Sequence, residues 1–354
     1  MTGVLAPEAR VHFDPLWVFP TTPAPTARIA TAIRRSRARR ALLIAGVALL
    51  MGLATWGAAH AIQPGALADA FAAVSWPWVA ASGAVYAVGQ VASGFVWGVG
   101  LRAGGMRGVE RRHVQSAHWL GHGAGELLPA QLGHIVRYAA IRRHPAAAAG
   151  GGLRIAGSVG AWKVVDGLVT FVVVAFAAMV MPLPAGLGGL RWVAGVALAG
   201  LLLALVAVSR VGPARVARRL PPRVAGMVRG LAEGAAVLAR RRDATVAVGL
   251  QLVAIGARVA SLAALLHAFG MPASAALLVY ALMVLSGVVA ISPGNVGVRD
   301  AAIVPALVAT YGLSAEPALA FSLGIQATAL GVSLLGAAVA LVLMRVSRPG
   351  PLPT

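Results

Sequence analysis

Apolar residues run along this chain in stretches of about 20, and most stretches end at arginines. Runs of that length fit helices crossing the ~30 Å hydrocarbon core of a bilayer. The ten-residue alternation expected of transmembrane β-strands does not occur. The pattern predicts an all-α polytopic membrane protein with spans at 41–61, 78–101, 155–181, 191–209, 244–268 and 316–344. Two apolar regions are interrupted. One covers 113–141 and breaks near Glu126 to Pro129; the other has halves at 274–292 and 300–312, either side of "SPGNVGVRD", Ser292 to Asp300. Each half of the first is about 12 residues, and about 18 Å of helix is too short to cross. The expected form is a re-entrant hairpin.

Arginine placement sets the topology. Arg28, Arg34, Arg35, Arg37, Arg39 and Arg40 precede the first span, and the loop 62–77 has no Arg or Lys. By the positive-inside rule the first span leaves the cytoplasm and the second returns. Arg102, Arg107, Arg111 and Arg112 before the first broken region, and Arg142, Arg143 and Arg154 after it, put both its ends on the cytoplasmic side. Arg345 and Arg348 return the C-terminus there. Residues 1–40 read as a basic tail, disordered through Pro20, Pro23 and Pro25. Ala59 to Ala61 resembles a signal-peptidase site, but the run is too long for a signal peptide, and an uncleaved anchor is expected. Residues 346–354 form a short C-terminal tail. The basic segment from 210 to 242 places Val224, Met227, Val228, Leu231 and Leu238 on one helical face, so an interfacial amphipathic helix is expected over about 215–242.

The two breaks resemble each other. "LLPAQLGHIVRYAAI" and "ISPGNVGVRDAAIV" both read Pro, two residues, an aliphatic, Gly, and an Arg shortly after. Pro129 and Pro293 are 164 residues apart, as are Gly133 and Gly297. The same interval carries span 78–101 onto 244–268 and span 155–181 onto 316–344. The chain therefore reads as two repeats, about 41–181 and 191–345, each with three spans and one broken hairpin. Three crossings is odd, so the second copy is inverted. Inverted repeats with broken helices near the midplane are the pattern of many carriers.

Composition agrees. The chain has 354 residues, 59% hydrophobic and 11% charged, with mean hydropathy +0.83. A soluble domain could not cover its surface with so little polarity. Net charge is +20, nearly all from Arg, since Lys163 is the single lysine. Because the arginines cluster between apolar spans, anionic lipid headgroups are the expected partners and nucleic acid is not. The absence of Cys excludes disulfides and thiolate chemistry.

Broken helices free backbone groups that only protein or a water-filled cavity can satisfy. Helix N-termini there favour anions, and Arg137 and Arg299 add full charges that can grip phosphate. Candidate binding residues are therefore Glu126, Pro129, Gln131, Gly133, His134 and Arg137 at the first break, and Pro293, Gly294, Asn295, Gly297, Arg299 and Asp300 at the second. Lys163 and Asp166, three apart on one span, read either as a self-neutralising packing pair or as a cavity wall. Arg258 reads either as a structural partner of an acid or as a headgroup ligand. His118, His122 and Glu126 share a helical face, but with eight histidines in all and no second histidine box, no metal and no cofactor are expected.

The motifs around Pro129, "WKVVDGLVTF" and "SPGNVGVRDAAIVPAL" together resemble the lysylphosphatidylglycerol synthase transmembrane-region family, over roughly 40–345. The family includes the lipid-flipping domain of multiple peptide resistance factor. The resemblance rests on Pro-x-x-aliphatic-Gly-acid-x-x-Arg, basic-x-x-Asp and Pro-Gly-x-x-Gly-x-Arg-acid. This chain has His134 where the family usually has Glu, Lys163 for Arg, Trp162 for an acid, and Asp300 for Glu. No soluble aminoacyltransferase domain follows the last span, so lipid aminoacylation is not expected.

The resemblance implies a flippase or scramblase-like transporter of the cytoplasmic membrane, moving an anionic phospholipid or polyprenyl-phosphate-linked lipid. It is expected not to be an enzyme. An intramembrane transferase with Asp166 or Glu126 as base, and a small-solute carrier, are the alternatives; a homo-oligomer is left open.

Overall fold

A computed structural model describes residues 64–128, 132–180, 240–287 and 297–346, with single positions 189, 192, 195, 196, 237 and 295 besides. The tails, the spans at 41–61 and 191–209, and the amphipathic segment as far as 239 lie outside them, save those single positions.

Every element among the described residues is helical. In chain order they are α1 (Pro64–Ala72), α2 (Trp76–Ala103), α3 (Arg111–Leu127), α4 (Gly133–Arg142), α5 (Pro145–Gly150), α6 (Gly152–Val180), α7 (Arg241–Ala268), α8 (Ala276–Gly287), α9 (Val298–Tyr311) and α10 (Ala315–Val346). A short 3₁₀ turn, Ala273–Ala275, leads into α8. α2, α6, α7 and α10 are long and apolar enough to cross a bilayer. α4, α8 and α9 have 10, 12 and 14 residues. At 1.5 Å per residue they reach about 15–21 Å, short of a full crossing.

Local chemistry fixes the ends. Pro77 sits in the first turn of α2, where its missing N–H costs no helical hydrogen bond. α9 opens at Gly297 with φ +82°, a conformation only glycine adopts without strain. Asp300 reaches back to accept from the Gly297 N–H at 2.9 Å, and the first turn is closed. Gly312, left-handed with φ +66°, ends the helix.

The two broken regions are built differently. α3 and α4 pack backbone to backbone at three glycines. A Cβ at Gly121 would stand 2.6 Å from the Arg137 Cβ and 2.8 Å from the Gly133 carbonyl oxygen. One at Gly133 would overlap the Gly121 carbonyl and come within 2.8 Å of the Gly125 Cα. α8 and α9 also pack on each other, with larger side chains such as Ile303 and Leu307 fully buried.

α2 and α7 lie along each other at the centre. A Cβ at Gly89 would approach the Ala254 carbonyl oxygen to 3.1 Å, and Ser82 Oγ donates to the Ser261 carbonyl at 2.8 Å. α3 packs against α10, where Gly336 receives the Trp119 ring and Gly123 faces Ala337. Outward positions are apolar: Val164, Phe176, Leu335 and Val342 are all exposed. Water would penalise such a surface; lipid does not.

Candidate functional site

Polar side chains inside these helices converge on one cavity of about 500 Å³. α2 contributes Ser82, Tyr86 and Gln90, one turn apart on a single face. α3 supplies His122 and Glu126, α6 supplies Lys163, Asp166 and Thr170, and α7 supplies Arg258 and Ser261. Tyr280 and Gly287 of α8, Arg299 of α9 and Thr328 of α10 complete the wall. Both broken regions therefore reach the same space.

Charge is concentrated at the α6–α7 side. Asp166 Oδ1 accepts from Gln251 Nε2 at 2.6 Å and lies 3.7 Å from an Arg258 guanidinium nitrogen. Its other oxygen is 3.8 Å from Lys163 Nζ. One carboxylate thus holds two cations and an amide, and the cluster stays net positive. Lys163 Nζ also sits 4.7 Å from the Trp162 ring centroid. On α3, His122 Nε2 pairs with Tyr86 Oη at 3.0 Å, and its ring stacks on His118 at 6.3 Å.

Arg299 differs from Lys163 and Arg258, the other cations on the cavity wall. It makes no hydrogen bond or ion pair with the described residues, and its Nε is buried without a partner. A guanidinium held at a cavity wall with donors unused can bind an anion.

Other sequence candidates lie elsewhere. Arg137 does not line the cavity. It is 3% exposed, with its guanidinium carbon 4.4 Å from the Trp162 ring centroid and 5.7 Å from that of Trp97. His134 Nδ1 is 3.1 Å from an Arg137 guanidinium nitrogen. Asp300 is saturated: besides the Gly297 N–H, it accepts from Ser322 Oγ at 2.5 Å and Gln326 Nε2 at 2.9 Å. Gly133 is consumed by packing on α3. Asn295, with φ +60°, donates to Ser286 Oγ at 3.3 Å. Pro129, Gln131, Pro293 and Gly294 lie outside the described residues.

The two anchors occupy matching places. The first, α4, docks through Arg137 on Trp162 of α6, one turn from Ser158 Oγ, which accepts from Trp97 Nε1 of α2. The second docks on Ser322 and Gln326 of α10. Each pair of positions is 164 residues from its counterpart.

Residues 41–336 match the lysylphosphatidylglycerol synthase TM region. The chain belongs to that family. No curated protein matches it. With four spanning-length apolar helices among the described residues, this member of the family is a multi-pass membrane protein.

Sequence reasoning passed over Ser82, Tyr86, Gln90, Thr170, Gln251 and Tyr280. The available signal was spacing: Ser82, Tyr86 and Gln90 repeat every four residues within an apolar span, as a wetted face requires.

Proposed function

We propose that this protein carries an anionic lipid across the cytoplasmic membrane as a flippase or scramblase-like transporter. The phosphate of the headgroup enters the cavity and binds Arg299, with Arg258 and Lys163 adding positive field. The tails stay in the bilayer. The observation that carries this reading is Arg299, a cation with unused donors on the wall of a polar cavity between membrane-spanning helices. A phospholipid and a polyprenyl-phosphate-linked lipid share the phosphate that this chemistry recognises.

Alternating access follows from an inverted repeat. α7, α8 and α9 each begin 165 residues after α2, α3 and α4, and α10 begins 163 after α6. Packing exchanges in the same way: α3 on α10 is answered by α8 on α6, and α4 on α6 by α9 on α10, while α2 packs on its own counterpart α7. Such exchange supports a two-fold relation, and an odd number of crossings per repeat makes it inverted. The broken regions are then re-entrant hairpins meeting from opposite leaflets. Arginines flanking the spans support cytoplasmic termini. The reading favours a transporter over a transferase with Asp166 or Glu126 as base, because Asp166 is already engaged by Gln251, Arg258 and Lys163.

Proteoliposomes holding fluorescent phosphatidylglycerol test the reading, with dithionite bleaching the outer leaflet. Arg299→Gln is expected to slow translocation about 10-fold or more, consistent with the loss of a charge-assisted contact. Unchanged translocation in a folded Arg299→Gln protein overturns the role of Arg299.

A further inference from the structure

We propose a second lipid site, separate from the polar cavity: an anionic phospholipid lying on the outer face of α3 and α10, its acyl chain in an apolar groove and its phosphate against arginines at the groove's mouth. It does not depend on the transport reading.

The groove has a volume of about 340 Å³ and lies between α2, α3 and α10. Trp119 and Ala87 form its floor at the inner end, and Leu335, Val339 and Leu343 form its outer wall. Leu335 and Val339 are 67% and 51% exposed, so no described part of the chain covers that wall. Trp119 is held in place by Gly336, whose missing Cβ makes room for the indole.

Length and charge identify the occupant. On α10 the groove runs from Val332 to Leu343, about 16 Å of helix. Half of a ~30 Å hydrocarbon core is about the same, so the groove spans one leaflet. Its mouth is cationic. Arg112 lines it, and Arg111, four residues before the lining Gln115, shares that face of α3. Glu110 pairs with Arg112 and offsets one of these charges, leaving the mouth positive. An apolar trough of leaflet depth capped by a surplus guanidinium complements an acyl chain joined to a phosphate. A zwitterionic lipid fills the trough equally well but lacks the net charge that the mouth rewards.

Trp119 gives a direct readout. The full chain is reconstituted in phosphatidylcholine vesicles containing increasing fractions of phosphatidylglycerol with brominated acyl chains, which quench indoles in contact with them. Brominated phosphatidylcholine is the control. The quenching lost on Trp119→Phe is expected to reach half its maximum at about fivefold lower fraction for the anionic lipid, as about 1 kcal/mol per arginine implies. Arg111→Gln with Arg112→Gln is expected to erase the preference. Val339→Trp, which adds an indole to the exposed wall, is expected to gain the same selective quenching, so the result stands if Trp119→Phe fails to fold. Equal quenching by both lipids overturns the site in favour of ordinary boundary lipid. No quenching at either indole also overturns it, because a second copy or another segment of the chain then covers the groove. Translocation is measured separately, so failure here leaves the role of Arg299 untouched.

Discussion

The Arg137 guanidinium carbon lies 4.4 Å from the centre of the Trp162 ring and stands behind the cavity wall, joining α4 to α6. A desolvated cation over an aromatic face contributes about 2 kcal/mol. Arg137→Ala also leaves a void among Trp97, Trp162 and His134. It is expected to lower the melting temperature in detergent and to reduce the yield of monodisperse protein. Arg137→Lys is expected to keep part of the stability. If Arg137→Ala melts like the parent yet loses translocation, Arg137 acts on substrate instead.

Gly121 and Gly133 bring α3 and α4 into backbone contact. A methyl at either position must push the helices apart. Gly133→Ala is expected to cost about 1–3 kcal/mol, the usual penalty for overpacking. Thermal unfolding checks it, with Gly249→Ala as control because a Cβ there meets nothing within 4 Å.

Asp300 organises the start of α9 and ties it to α10 through Ser322 and Gln326. Asp300→Asn keeps the shape and one acceptor and is expected to cost about 1 kcal/mol. Asp300→Ala strands the donors and is expected to cost about 1–3 kcal/mol. Hydrogen exchange at the first turn of α9 reads the difference. Equal protection in the two variants would remove the capping role.

Asp166 and Arg258 make a double-mutant cycle. Arg258→Gln is expected to destabilise by about 1–2 kcal/mol, discounted from the figure for fully buried pairs because both side chains keep some exposure. Asp166→Asn together with Arg258→Gln is expected to recover most of that stability but not translocation. Recovery of both would make the pair purely structural.

The spans at 78–101, 155–181, 244–268 and 316–344 were readable because burial in lipid leaves nothing to interpret: an apolar run of sufficient length has one use. The interruption between α3 and α4 was readable for a similar reason, since Pro, Gly and charge are costly within a membrane. The roles of single charges were not. Arg137 and Arg299 occupy comparable places in the two motifs, yet one faces tryptophans and the other a cavity. What separates them is Trp97 and Trp162, which come from other helices and carry no mark in the motif. Asp300 was partly readable: Gly297 followed three residues later by an acid is the spacing of a helix cap. Gln251 gave no signal, because a neutral amide in an apolar helix does not announce the carboxylate it will meet on α6.

The glycine contact between α3 and α4 has a mechanical consequence. With no layer of side chains between them, these two helices have nothing to compress where they touch. They behave as a stiff wedge. Any rearrangement that exposes the cavity to one leaflet and then the other must slide this wedge whole along α6 and α10, and the give in the machine belongs to the softer side-chain contacts at its flanks.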